Sequence, residues 1–175
     1  MNYFEFYNIP VSFFPDLALI KQAYFKKSKE FHPDFFTNTS EEEQSQALEQ
    51  SSYNNIAYKT LSDKEKRFAY ILQLENQIVE GEKEVLPQEF LFEMMEINEE
   101  LEQLLLNHDN SKLDQFRTKL DKLDKELQST VQDFLDNYPA VSSSELITIR
   151  DYFFKNKYLD RIRQQLKIPD NKGYL

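Results

Sequence analysis

Apolar residues recur in steps of three and four along most of this chain, and the steps break at a few polar stretches. Leu17, Ile20, Tyr24 and Phe31 share one helical stripe, with Asp16 placed to cap its start. Ser40 with Glu43 forms a capping-box pattern that opens a second helix. That helix runs to about Leu61 and turns Ala47, Leu48, Tyr53, Ile56 and Ala57 inward. Ser62 with Glu65 repeats the capping pattern before a short helix that carries Phe68, Ile71 and Leu72. Three further helices follow Pro87, itself a favourable first helical residue. The first runs to Leu106 on the stripe Phe90, Met94, Ile97, Leu101 and Leu105. The second runs from about Ser111 to Tyr138 with Leu113, Phe116, Leu120, Leu123 and Leu127 as a coiled-coil-like seam. Pro139 ends it. The third, capped by Ser142 with Glu145, runs to about Leu166 on Leu146, Ile149, Phe153, Leu159 and Ile162. No alternating run reads as a strand.

The pattern predicts an all-α protein in two parts. Residues 1–75 form a helical hairpin with a short third helix, residues 76–86 a linker containing Asn76 and Gly81, and residues 87–175 a three-helix bundle. Short connections make the bundle helices antiparallel neighbours. A second helix of 28 residues is roughly 40 Å long, which makes the bundle elongated.

The loop between the first two helices carries the most specific chemistry. It reads His32-Pro33-Asp34, and Pro33 forces a break by fixing its own φ and biasing His32 away from helix. The helix before it holds Lys21, Lys26, Lys27 and Lys29, with no acid until Glu30. A basic helix, a sharp polar loop and a return helix present a hairpin tip to something else. The bland reading of such a lysine run is a solvated helix face; the adjacent loop raises it above that.

These stretches, together with YFEFYNIP near the start and YNNIAYKTLSDKEKRFAYIL, resemble a J-domain over Asn2 to about Leu74. J-domains are the modules by which co-chaperones activate the ATPase of a DnaK/HscA-type chaperone. The resemblance implies that His32, Pro33 and Asp34 stimulate the partner's ATP hydrolysis. It also implies that Lys21, Tyr24, Lys26 and Lys27 belong to the docking helix. One departure stands out. J-domains usually continue the buried stripe one turn before the loop, where this chain has Lys27 and Ser28. Lys27 either docks the partner or lays its stem on the core with its ammonium at the surface.

Composition narrows the classes. The formal net charge is −10, with 9 basic and 14 acidic residues over 1–86 and 12 and 17 over 87–175. An acidic chain is a poor general binder of nucleic acid or anionic membrane. No apolar run is long enough to span a membrane, and no secretory signal is legible. Zero cysteines exclude disulfides and thiolate metal sites, and make the cytoplasm the default location. With only His32 and His108, there is little material for acid–base catalysis or metal binding. No cofactor is called for and an enzyme is not expected. His108 beside Asp109 reads as a solvated turn.

The helix from Pro87 to Leu106 is richer in apolar residues than one core face needs. Leu91, Phe92 and Met95 lie off its stripe among Glu93, Glu96, Glu99, Glu100 and Glu102, and no Lys or Arg occurs between Pro87 and Asn110. An apolar patch with an acidic rim suits a basic partner; the bland reading is that packing covers Leu91 and Phe92. With this helix, as FLFEMMEINEELEQL, and KYLDRIRQQL near the end, the chain resembles the HscB family, the J-domain co-chaperones of iron–sulfur cluster assembly. The resemblance implies that Leu91, Phe92, Met95, Glu96, Glu99 and Tyr158 hold an IscU-type iron–sulfur cluster scaffold protein. It further implies a bacterial-type member, because the cysteine-rich N-terminal extension of eukaryotic members is missing from the sequence. The competing reading is a J-domain protein that delivers a different client.

Overall fold

The computed structural model describes residues 1–79, 86–107 and 110–166. The residues around Gly81, and His108 and Asp109, read above as a solvated turn, lie outside that description. The described chain is all-helical: α1 Tyr3–Tyr7, α2 Leu17–Glu30, α3 Glu41–Ser62, α4 Lys64–Leu74, α5 Gln88–Leu106, α6 Asn110–Ser129, α7 Gln132–Asn137 and α8 Ser143–Gln165, with a 3₁₀ turn at Pro33–Phe35. It divides into two compact units: Met1–Asn76 with Tyr138–Ala140, and Gln77–Asn137 with Val141–Leu175.

In the first unit α2 and α3 form the hairpin, and α1 and α4 close its open side. The short helix α1 was not apparent from the apolar pattern. A capping box holds it: Asn2 Oδ1 accepts the Glu5 N–H at 2.8 Å, and Glu5 accepts the Asn2 N–H at 2.9 Å. It delivers Phe4, Phe6 and Tyr7 to a core completed by Phe13, Ile20, Ala47, Ala57, Leu61, Phe68, Ile71 and Leu72.

Two polar side chains are buried in this core, and both are satisfied. Asn54, 1% exposed, donates from Nδ2 to the Tyr24 carbonyl at 3.2 Å and to Ser28 Oγ at 3.0 Å. The Tyr7 hydroxyl lies 2.9 Å from Asn54 Oδ1 and 3.0 Å from the Asn54 carbonyl, sharing one proton between them. Arg67 donates to the Phe13 carbonyl at 3.0 Å and to the Leu61 carbonyl at 2.6 Å. The second contact places a cation at the carbonyl end of α3, where the helix dipole favours it. Burial lowers the Arg67 pKa, and the charge of Asp63 opposes that shift.

The structure corrects several sequence expectations here. Leu48 and Ile56 are exposed on α3, and Leu17 is exposed on α2. The inward positions of α3 are instead Ala47, Asn54, Ala57 and Leu61. The true stripe therefore passes through a polar residue, which an apolar periodicity cannot reveal. The cap of α4 is Asp63, whose carboxylate accepts the Lys66 N–H at 2.9 Å, not Ser62, whose hydroxyl turns back to the Tyr58 carbonyl. Ser next to Asp offers two possible caps, and the one in extended conformation takes the role.

In the second unit Phe90, Met94, Ile97 and Leu101 of α5 pack with Phe116 and Leu120 of α6 and Leu159 and Ile162 of α8. Asp16, Ser40 and Ser142 cap α2, α3 and α8 as read from the sequence. The expected 28-residue second helix is broken. α6 stops at Ser129, and α7 restarts at Gln132. Ser129 and Thr130 turn their hydroxyls onto the Glu126 and Leu127 carbonyls at 2.7 Å, and the Thr130 and Val131 amides bond three residues back. Side-chain competition for helix carbonyls of this kind ends the helix, and buried Val131 and Leu135 then anchor α7.

Asn54→Leu is expected to lower the stability of the first unit by ~2 kcal/mol, because the Tyr24 carbonyl and Ser28 hydroxyl lose the amide donor and the Tyr7 hydroxyl keeps only the residue-54 main-chain carbonyl; urea unfolding measures this. A second expectation concerns pH. Burial, with smaller contributions from Tyr24 and Tyr58, raises the Tyr7 pKa above its ordinary value. A raised folded-state pKa gives stability that is full below the unfolded value, about 10, and is lost as pH climbs past it. The unfolding midpoint therefore falls above pH ~10, and in Tyr7→Phe the fall is shallower by about one proton's worth, ~1.4 kcal/mol per pH unit.

Candidate functional site

The first candidate surface is built by α2 and the turn that follows. Lys27 O accepts the Phe31 N–H at 3.0 Å, closing α2. His32 then turns extended (φ −66°, ψ 125°), as a residue before proline must, and Pro33 starts a 3₁₀ turn. His32 Nδ1 accepts the Asp34 N–H at 3.3 Å and lies 3.6 Å from the Asp34 carboxylate. The first distance is a hydrogen bond and the second is too long for one. With Nδ1 as acceptor, the neutral imidazole carries its proton on Nε2. The loop thus presents an N–H donor and a carboxylate side by side, with His32, Pro33, Asp34 and Phe35 all exposed.

The docking residues separate into two groups. Lys21, Lys26 and Lys29 are exposed on α2. Tyr24 is half-buried, stacked on Tyr58 with centroids 4.3 Å apart, and its hydroxyl donates to Asn55 Oδ1 at 3.1 Å. Lys27 is also half-buried. Its ammonium lies 5.1 Å from the centroids of both Phe6 and Phe31, and 3.3 Å from the Glu30 carboxylate. Of the two roles open to Lys27 in the sequence, its geometry is that of a lid on the core. The neighbouring Ser28 faces Asn54. The polar pair that interrupts the expected apolar stripe is thus one aromatic-bound cation and one hydroxyl that serves a buried amide.

The second candidate surface is the outer face of α5. Relative to the buried stripe, Leu91, Met95, Glu102, Leu106, Glu99, Phe92 and Glu96 fall on the opposite half of the helix at 100° per residue. Phe92 is 63% and Met95 55% exposed, while Leu91 is half-buried. Phe92 and Met95 are therefore open, and Leu91 forms the partly covered base of the patch. Glu96, Glu99 and Glu102 are exposed around them. Glu100 lies on the other flank, where Lys119 of α6 meets it at 2.6 Å. It is neutralised by a cation that the local sequence did not supply. Tyr158 of α8 is half-buried and stands edge-on to Phe90 at 6.2 Å, which brings it to the start of α5.

Among the described residues no cluster of His, Asp or Glu is arranged to hold a metal ion, and no helix is long and apolar enough to cross a membrane. Among the exposed aromatics that escaped the sequence reading are Phe25 on α2 and Phe35 beside Asp34; Phe14, before α2, is a third. A helical wheel drawn on Ile20 and Tyr24 places Phe25 outward, so its signal was present. Phe92→Ala with Met95→Ala is expected to leave stability within about 0.5 kcal/mol of the parent chain, because exposed side chains give up little packing. Lys27→Ala is expected to cost ~1 kcal/mol through lost ring and stem contacts, whereas Lys26→Ala costs nothing measurable; thermal unfolding of the three variants checks both statements.

Comparison with known proteins places the chain in a family. Residues 2–70 match the DnaJ domain, and residues 86–167 match the HSCB C-terminal oligomerisation domain. A co-chaperone protein HscB homolog of Vibrio cholerae is 31% identical over 169 residues, covering 95% of each chain. A homolog from Vibrio campbellii is 28% identical over 174 residues, covering 98% of each. Among solved structures, chaperone HscB from Vibrio cholerae aligns with a TM-score of 0.72 at 30% identity, over 95% of this chain and 96% of that one. Human co-chaperone protein HscB aligns with a TM-score of 0.74 at 25% identity, over 95% and 81%. With a J-domain at its N-terminus and the HscB C-terminal domain after it, this chain belongs to the HscB co-chaperone family.

Proposed function

We propose that this protein stimulates the ATPase of a DnaK/HscA-type chaperone and delivers an IscU-type iron–sulfur cluster scaffold protein to it, aiding cluster assembly and transfer. The carrying observation is the presence, on two separate compact units, of two exposed surfaces of opposite character. One is a lysine-bearing helix that ends in the His32-Pro33-Asp34 turn. The other is an acid-rimmed apolar patch on a helix without a cation.

The first surface engages the ATP-bound chaperone. Lys21, Lys26 and Lys29 steer toward a negative surface, and the Asp34 carboxylate and His32 Nε2–H are held together by the 3₁₀ turn for contact with the nucleotide-binding machinery. The second surface grips the scaffold through Leu91, Phe92 and Met95, with Glu96 and Glu99 pairing its basic residues and Tyr158 supporting the start of the helix. One chain that holds both partners raises the effective concentration of each near the other. The hydrolytic chemistry and the cluster both belong to the partners, and the residues of this chain bind and orient. The protein acts in the cytoplasm, without a cofactor of its own.

The test is steady-state ATPase of the chaperone with and without this protein and with and without the scaffold. Stimulation that rises synergistically when both are present is expected; stimulation indifferent to the scaffold would mean another client. Asp34→Ala is expected to abolish stimulation and leave scaffold binding intact. Leu91→Ala with Met95→Ala is expected to weaken scaffold binding roughly 30-fold or more, the ~2 kcal/mol of a hot-spot contact, while leaving basal stimulation in place. Loss of both activities in either variant, with the fold retained, overturns the two-surface mechanism.

A further inference from the structure

The basic face of α2 is not purely polar. Phe25 is 53% exposed in its middle, and Lys21 and Lys29 stand one turn before and one turn after it. At 100° per residue these two lysines lie about 40° to either side of Phe25, while Ile20 and Lys27 point to the far side, where Ile20 is buried and Lys27 packs on α1; Tyr24, stacked on Tyr58 of α3, also stands tilted against the Phe25 ring with centroids 5.4 Å apart. Phe25 precedes His32 by two helical turns, about 10 Å along the axis. In the turn that follows α2, Phe35 is 70% exposed. Its amide donates to the His32 carbonyl at 3.0 Å, and its ring stands at 61° to the His32 ring with centroids 5.8 Å apart. One exposed aromatic on a surface needs no explanation. Two of them, one ringed by lysines and one resting on the histidine of the loop, do.

We propose that Phe25 and Phe35 are the apolar anchors of the chaperone-docking face, and that the complementary site is an apolar depression rimmed by carboxylates. This inference rests on the co-chaperone reading above and adds to it the residues that determine how long the complex lives. Exposed lysine–carboxylate pairs are weak singly and screened by salt. They accelerate encounter more than they slow separation. Residence comes from side chains that are fully desolvated in the complex, most often aromatics surrounded by a polar ring. Lys21 and Lys29 supply such a polar border for Phe25, with Lys26 further round the same exposed helix surface. Glu30, the acid nearest in sequence, lies about 140° round the helix from Phe25 and is paired with Lys27, so Lys21 and Lys29 set a positive field around Phe25. The contact of Phe35 with the His32 ring gives it a second role as a positioning residue, since a partner that seats Phe35 also sets the imidazole.

The experiment is a titration of the DnaK/HscA-type chaperone's ATPase with the full chain, at about 50 mM and about 300 mM salt. Phe25→Ala is expected to raise the half-stimulating concentration about 10-fold at both salts without changing the plateau. Phe35→Ala is expected to raise it and also to lower the plateau, the signature of a disturbed His32. Phe25→Leu retains most of the wild-type response. Lys21→Ala with Lys29→Ala differs in kind: the loss is large at low salt and small at high salt. Both phenylalanines are exposed, so unchanged thermal unfolding accompanies the effect. Wild-type half-stimulating concentrations in Phe25→Ala and Phe35→Ala overturn the inference and leave the co-chaperone reading standing. A wild-type chain that stimulates no such ATPase overturns both.

Discussion

The amide of Asn54 is the constraint on which the first unit depends. It joins the α2–α3 hairpin to α1 and is tied to three groups on two other helices: the Tyr7 hydroxyl from α1, the Tyr24 carbonyl inside α2 and the Ser28 hydroxyl one turn later in α2. A buried amide is costly unless each of its groups is paired, so only one rotation and one register of α2 against α3 satisfies it. That register fixes which face of α2 is hidden. Tyr24 and Lys27 turn toward the core, and Lys21, Phe25, Lys26 and Lys29 turn toward solvent. Which face of the helix presents its lysines to solvent follows from a hydrogen-bond pattern on the opposite side.

The second unit uses a different device. Its α5 core face is wholly apolar, a stripe from Phe90 to Leu101, and specificity comes from charges placed around the seam. Lys119 reaches from α6 to Glu100. Arg163 of α8 reaches to Asp121 and Asp124 of α6 at 3.4 and 2.9 Å and to Asp160 of its own helix at 3.0 Å. Asn156 adds a bond to Asp124 at 2.6 Å. These pairs join α5 and α8 to α6 but leave the outer face of α5 without a cation among its own residues. The acidity of that face is therefore uncompensated where Phe92 and Met95 emerge, and the two surfaces of the chain keep opposite sign despite its overall negative charge.

Much of this was legible in the linear sequence. Caps at Asp16, Ser40 and Ser142 depend on side chains within three residues of the helix start, and they appear where local chemistry puts them. The break at His32-Pro33 is likewise local, since proline acts on its own φ and on the residue before it. The apolar stripes of α5 and α8 are long enough for periodicity to identify them. The errors arose where two local signals compete. Ser62 and Asp63 both offer a cap, and Ser129 with Thr130 withdraws carbonyls from a helix whose apolar seam would otherwise continue.

The sequence by itself determined the helical class, the hairpin with its rigid polar tip, and the placement of lysines and glutamates on separate helices, because each depends on neighbours a few residues apart. Only the tertiary structure decided what those helices hide. Leu48 and Ile56 look like core but are exposed because Asn54 occupies the inward position of α3. Lys27 looks like part of the docking face but lies on Phe6 and Phe31, contributed by α1 and by the residue that caps α2. Glu100 looks like rim but is claimed by Lys119, 19 residues away. Each outcome depends on a partner distant in sequence, and periodicity along a single helix carries no information about which partner arrives.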